Sequence, residues 1–352
     1  MTPFVCFMIL AGAPGQAQPP GTPTGGAPTG NVPSTGVQTG PGTPATSPPM
    51  SLGGTHDPCI IREGNTWWLF STGVGIKVQR SNNLIDWQPA GKVFQSPPAW
   101  AMRMVPGYKG HTWAPDVQFF DGEYHLYYSV STFGSNRSAI GHATNPTLDP
   151  DNPKHKWLDH GLLIHSEKRQ NYNCIDANLC LDEKGKPWLS FGSFWSGLKI
   201  CQLDSEAGRP IEGPIYNIAS RPGQAAIEAP WIHQKGEYFY LFCSYDNCCK
   251  GIKSDYRIMV GRSKKIMGPY VDKTGKPMTE GGASEILAGK GDVHGPGHNC
   301  LFESAGKTYL GYHFYDGTNK GRPTLQIREI DWKDGWPEVG RVIAPTGIPA
   351  VK

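Results

Sequence analysis

Ala114-Pro115-Asp116-Val117-Gln118-Phe119-Phe120, a turn at Asp121-Gly122, then Tyr124-His125-Leu126-Tyr127-Tyr128: this stretch reads as a β-hairpin. An Asp-Gly pair between two runs rich in aromatic and β-branched residues is the local chemistry of a tight two-residue turn. The same unit recurs four more times. Asp57-Pro58-Cys59-Ile60-Ile61 leads to Trp67-Trp68-Leu69-Phe70, and Asp176-Ala177-Asn178-Leu179-Cys180-Leu181 leads to Trp188-Leu189-Ser190-Phe191. Glu228-Ala229-Pro230-Trp231-Ile232 leads to Tyr238-Phe239-Tyr240-Leu241-Phe242, and Pro296-Gly297-His298-Asn299-Cys300-Leu301-Phe302 leads to Tyr309-Leu310-Gly311-Tyr312. Counted by their polar openers Asp57, Asp116, Asp176, Glu228 and His298, the units step by 59, 60, 52 and 70 residues. Further strands follow in most units, such as 76–80 and 87–93. About four short strands per repeat, five times over, predict an all-β, five-bladed β-propeller.

Composition agrees with that reading. Gly (45) and Pro (32) make up 77 of 352 residues, too many breakers for a helical bundle. A net charge of +3 offers no basic surface for nucleic acid, and no apolar run reaches the length of a membrane-spanning helix. Neither nucleic acid nor membrane is expected as a partner. The chain divides in two. Between residues 11 and 50, 36 positions are Gly, Pro, Ala, Ser, Thr or Gln, and the first charged side chain is Asp57. Such a stretch buries too little apolar surface to offset its ordering entropy. Residues 1–49 therefore read as a linker behind a short apolar run, Phe4 to Leu10, resembling a truncated secretory signal and implying a secreted or periplasmic protein. Residues 50–352 read as the propeller domain, expected to be a monomer because a closed ring needs no partner.

In a propeller the first strand of each blade lines the central channel, so the five openers are expected to converge at one mouth. Four acids and an imidazole facing one pocket suit glycosidic bond cleavage, which needs an acid for the leaving oxygen and a base or nucleophile. Crowding of like charges would keep one member protonated near neutrality. Of the cysteines, Cys59, Cys174, Cys180, Cys201, Cys243 and Cys300 fall mostly in apolar runs and read as small buried hydrophobes. No paired CxxC spacing suggests zinc, and the adjacent Cys248-Cys249 leaves a vicinal disulfide open.

With these residues in view, the chain resembles glycoside hydrolase family 43, and within it the endo-1,5-α-L-arabinanases. The matching motifs are Thr55-His56-Asp57-Pro58, Trp113-Ala114-Pro115-Asp116, Asn173-Cys174-Ile175-Asp176-Ala177, Ser193-Phe194-Trp195-Ser196-Gly197, Ile227-Glu228-Ala229-Pro230 and Gly295-Pro296-Gly297-His298-Asn299. They run in order over about residues 50 to 340. The resemblance implies an inverting hydrolase of arabinan and arabino-oligosaccharides, the acid and base some 6.5–9.5 Å apart. Asp57 would be the general base, Glu228 the general acid, and Asp176 the residue that orients the acid and holds its pKa up. His298 would ligate a hydrated calcium ion, the alternative being a channel histidine bonded to an acid. His294 has no matching role and reads as a solvated loop residue. Gly134, Asn173, Ser193, Phe194 and Trp195 would line the subsites, with His56, Trp113 and Phe133 beside them. Asp116 stays open between a channel residue and a subsite contact. Two other readings are kept: an exo-acting α-L-arabinofuranosidase or β-xylosidase on the same scaffold, and a non-catalytic glycan-binding propeller. The second would be expected to lack one of the three acids.

Overall fold

The computed structural model describes residues 54–343; the leader and linker read over 1–49 lie outside the described residues. Five antiparallel sheets follow one another along the chain. Blade I orders Cys59–Glu63, Thr66–Ser71, Lys77–Ser81 and Gln88–Lys92. Blade II orders His111–Phe120, Glu123–Val130, Ser138–Asn145 and Leu158–Ser166, with the short Gly73–Val74 added against its first strand. Blade III orders Asn178–Leu181, Pro187–Phe191, Leu198–Gln202 and Tyr216–Ala219. Blade IV has Ile227–Lys235, Tyr238–Tyr245, Arg257–Ser263 and Ser284–Leu287; blade V has Val293–Ser304, Lys307–Asp316, Arg322–Lys333 and Trp336–Val342. Each first strand packs against the first strands of the blades before and after it, blade V closing on blade I. The five-bladed propeller is therefore the fold. One helix that the repeat did not announce, Ala99–Met104, lies between blades I and II.

Local chemistry explains the hairpins. Asp121-Gly122 (φ 47° and 85°), Ala305-Gly306 (49° and 76°) and Asp334-Gly335 (51° and 72°) take the doubly left-handed turn that matches strand twist. Second strands are buried along almost their whole length, because adjacent blades cover both faces. Trp67, Trp68, Phe70, Tyr127, Phe239, Phe242 and Tyr312 fill that space. Burial of each such side chain is worth roughly 1.5–3 kcal/mol. Five free cysteines (Cys59, Cys174, Cys201, Cys243 and Cys300) are buried and Cys180 partly so, while Cys248 and Cys249 are bonded to each other.

A repeated backbone device sets up the channel. Asp57, Ala114, Asp176, Ala229 and His298 all adopt left-handed φ (53°, 45°, 60°, 56° and 47°) at matching places in their blades. Such a conformation costs a non-glycine residue about 1–2 kcal/mol, so something must hold it. What holds it is a backbone N–H bonded across the blade seam. Ala114 donates to Thr72 Oγ1 (2.8 Å), Asp176 to Ser129 Oγ (2.9 Å), His298 to Ser244 Oγ (2.8 Å) and Asp57 to His313 Nδ1 (3.2 Å). Blade III offers only Gly192 opposite Ile175. The Asp176 carboxylate fills that gap, accepting from the Ala229 N–H at 3.1 Å.

This device corrects the count of strand openers. The structural equivalents are Asp57, Ala114, Asp176, Ala229 and His298; Glu228 stands one residue earlier and Asp116 two later. Asp116 is 1% exposed and belongs to a second tier of ties between blades. Its carboxylate accepts from Leu179 N (2.8 Å), Gln118 Nε2 (2.9 Å) and Asn178 Nδ2 (3.4 Å). In the same tier Val117 N donates to Cys59 Sγ (3.2 Å) and Ile232 N to Asn178 Oδ1 (2.8 Å). Asp116 is thus an inter-blade tie and not a channel or subsite acid. His294 also departs from its reading, since it is half-buried in the first strand of blade V.

Blade II carries a buried histidine stack. The His142 ring lies between Tyr127 (5.0 Å) and His160 (4.9 Å), and its Nε2 meets His125 Nδ1 at 3.0 Å. Burial pushes the His142 pKa down to about 3, so the folded state holds it neutral. The unfolded chain takes up that proton near pH 6.5, so this contribution is present above that pH and is lost as pH falls toward 3. Urea unfolding is expected to show stability lower by about 3 kcal/mol at pH 4 than at pH 7 from this group. In His142→Leu that portion of the pH dependence should vanish; an unchanged slope would remove His142 as its source.

Candidate active site

All twelve site residues read from the sequence line one cleft of about 1110 Å³: His56, Asp57, Trp113, Phe133, Gly134, Asn173, Asp176, Ser193, Phe194, Trp195, Glu228 and His298. Asp57 is the most heavily engaged. His56 Nδ1 lies 2.7 Å and His298 Nδ1 3.1 Å from Asp57 Oδ1, and Thr72 Oγ1 donates to Oδ2 at 2.5 Å. Burial opposes its charge, yet the histidines around it hold its carboxyl well below the usual range. Asp57 is ionised at neutral pH.

The other two acids behave oppositely. Burial, then the nearby charges of Glu228 and Asp57, push Asp176 well above the ordinary carboxylate range. Burial raises Glu228 to about 7, against the donated bond from Ser193 Oγ at 2.6 Å. The pair keeps a proton near neutrality while Asp57 does not. Carboxylates pushed apart in this way are the physical mark of an acid and a base in one site.

Ser193 begins a loop whose next two residues, Phe194 and Trp195, are both left-handed (φ 55° and 42°). Phe194 N–H bonds Ile227 O at 2.8 Å, and Lys199 Nζ, tied to Asn217, donates to Ser196 O at 2.8 Å. That anchoring holds Phe194 and Trp195 half-exposed at the cleft. In the same cleft the Trp113 and Phe133 rings pack at 4.9 Å, with Phe133 80% exposed. Flat apolar faces with nearby polar atoms suit sugar rings. Asn173 Oδ1 is buried without a protein partner at the cleft wall.

Several contributors escaped the sequence reading. Thr72 joins the two tasks of bonding Asp57 and receiving the Ala114 N–H. His313 stacks under His56 at 3.9 Å; accepting Asp57 N–H on Nδ1 fixes its proton on Nε2. Tyr315 OH lies 2.8 Å from His56 Nε2. Thr72 directly follows a second strand and His313 and Tyr315 lie within one, with no polar motif around them, so only their distant partners reveal them.

His298 was the expected metal ligand. Among the described residues, the clusters able to offer three ligand atoms are His56–Cys248–Cys249 and His56–Asp57–His313, neither containing His298. Calcium takes six to eight oxygens, so one imidazole fits only an ion that keeps most of its water. The adjoining Asn299 is buried with both amide atoms lacking a protein partner, but it does not line the cleft that His298 faces.

Comparison with known proteins gives a consistent result. The profile of Glycosyl hydrolases family 43 matches residues 47–337. The extracellular exo-alpha-(1->5)-L-arabinofuranosidase ArbA of Cellvibrio japonicus is 42% identical over 297 residues, 81% of this chain and 86% of its own. The extracellular endo-alpha-(1->5)-L-arabinanase 1 of Bacillus subtilis is 42% identical over 287 residues, 80% of this chain and 86% of its own. Among solved structures, a Cellvibrio cellulosa α-L-arabinanase complexed with arabinohexaose superposes with a TM-score of 0.80 at 42% identity, covering 81% of this chain and 95% of that one.

Proposed function

Since this chain belongs to family 43 of the glycosyl hydrolases, and is a glycoside hydrolase, we propose that it cleaves internal α-1,5-L-arabinofuranosidic bonds of arabinan with inversion. The observation that carries the reading is three buried acids in one cleft with opposite surroundings: His56 and His298 stand 2.7 and 3.1 Å from Asp57 and favour its charge, while burial favours a proton on the Asp176–Glu228 pair. Asp57 takes a proton from water as that water attacks the anomeric carbon. Glu228 gives its proton to the departing oxygen. Asp176, tied to the Ala229 N–H, keeps the acid beside it oriented and its proton in place. The aromatic rim binds arabinofuranosyl rings on either side of the scissile bond. Calcium, held by His298 and water, would supply a fixed positive charge in the channel. The extracellular names of both relatives support export, and the closed ring supports a monomer.

The second reading is an exo mode, supported by the similarity to the Cellvibrio enzyme, which equals that to the endo-acting Bacillus relative at 42% identity. Debranched arabinan separates the two. Endo action is expected to drop viscosity early and give a spread of oligosaccharides, whereas one short product with slow viscosity loss would overturn it. Proton NMR during the first turnovers should show the β-anomer; the α-anomer would exclude inversion.

A further inference from the structure

The Cys248–Cys249 pair sits in the wall of the same cleft, beside the histidine that touches the general base. Cys249 is exposed, its Sγ 3.8 Å from His56 Nε2. Its backbone N–H donates to Tyr315 OH at 2.6 Å, and that hydroxyl lies 2.8 Å from the same His56 Nε2. On the ring's other side, His56 Nδ1 reaches Asp57 Oδ1 at 2.7 Å. The two sulfurs and a His56 ring nitrogen all lie within 4.8 Å of one another. We propose that these three residues form a redox-gated site for a thiophilic divalent cation such as Cd²⁺ or Zn²⁺, closed while the sulfurs are bonded and open once they are reduced.

The chemistry balances with a trialkylphosphine as reductant. The phosphine gives two electrons to the S–S bond and leaves as its oxide with the oxygen of a water, whose protons go to the two sulfurs. Binding the cation then releases both thiol protons, since thiolates are the ligands. Two thiolates and an imidazole match the preference of these metals, with water at the fourth corner. Coordination takes His56 Nε2 from Tyr315 and sets a dication one ring away from Asp57. Hydrolysis would therefore stop; this inhibitory arm rests on the role proposed above for Asp57, whereas metal binding does not. The buried thiols of Cys59, Cys174, Cys201, Cys243 and Cys300 compete poorly, because burial pushes each of them up.

The test titrates Cd²⁺ into the full chain, either as purified or phosphine-reduced and desalted without oxygen. The ultraviolet thiolate-to-cadmium band is expected in the reduced protein at one Cd²⁺ per chain, and absent from the oxidised protein and from a reduced C248S/C249S variant. An equal band in the oxidised protein, no band after reduction, or a band surviving in the double variant would each overturn the site. Arabinan hydrolysis by the reduced enzyme should fall by at least about tenfold when the site fills. A full band with unchanged hydrolysis would overturn the link to Asp57.

Discussion

Glu228→Gln is expected to cut turnover on arabinan about 10³–10⁴-fold with no loss of folded stability. Gln keeps the shape and can still meet Ser193, but has no proton to give the leaving oxygen. An activated aryl arabinoside, whose leaving group departs without protonation, should lose far less in the same variant. In the parent enzyme, activity should fall as pH rises past about 7, where Glu228 loses its proton. Gln should remove that limb from what activity remains. Stability falls over the same range. A folded pKa above the unfolded one stabilises at low pH, an advantage lost as pH rises from about 4.5 through 7. Ionised and buried, Glu228 costs the native state about 3 kcal/mol at pH 8, which the variant is spared. Wild-type turnover in purified Glu228→Gln would remove it from the acid role.

Asp116→Ala should do the reverse, leaving chemistry alone and weakening the ring. It deprives the Leu179 N–H, Gln118 and Asn178 of their acceptor inside a closed seam between blades. An orphaned buried amide plus the lost bonds amounts to about 3 kcal/mol, a shift in Tm of roughly 5–10 °C for a protein of this size. Burial has already pushed Asp116 up to about 6, so its negative charge is itself a burden at neutral pH. Asp116→Asn retains an acceptor for Leu179 without that charge and is expected to lose far less. At a temperature where both variants are folded, kcat should match the parent. An unshifted Tm with reduced kcat in Asp116→Ala would return this residue to the reaction.

The blades were legible because hairpin turns and aromatic pairs are local: Asp121-Gly122 and Ala305-Gly306 announce their own geometry. The three acids were legible because their motifs lie in the first strands or lead directly into them, and all three line one cleft. What misled was choosing the repeat marker by charge. The true marker is a left-handed residue in the first strand or just ahead of it, followed by Pro in blades I, II and IV (Asp57-Pro58, Ala114-Pro115, Ala229-Pro230). Aligning on that pair would have set Asp116 apart. Thr72, Ser129, Ser244 and His313 were not readable at all. Each acts on the next blade, His313 across 256 positions to Asp57, and an isolated Ser or His in an apolar strand carries no sign of its distant partner.

Among the described residues, blade I comes first along the chain and blade V last, so theirs is the joint of the ring that the polypeptide does not pass through. It is clasped by Gly54 N–H on Pro323 O, by the stacked His56 and His313 rings, and by Asp57 N–H on His313. The general base is thus built into the clasp. Warming that unfastens this joint would disperse the residues around Asp57 while blades II, III and IV stay stacked, so heat should silence the enzyme before circular dichroism registers any loss of sheet.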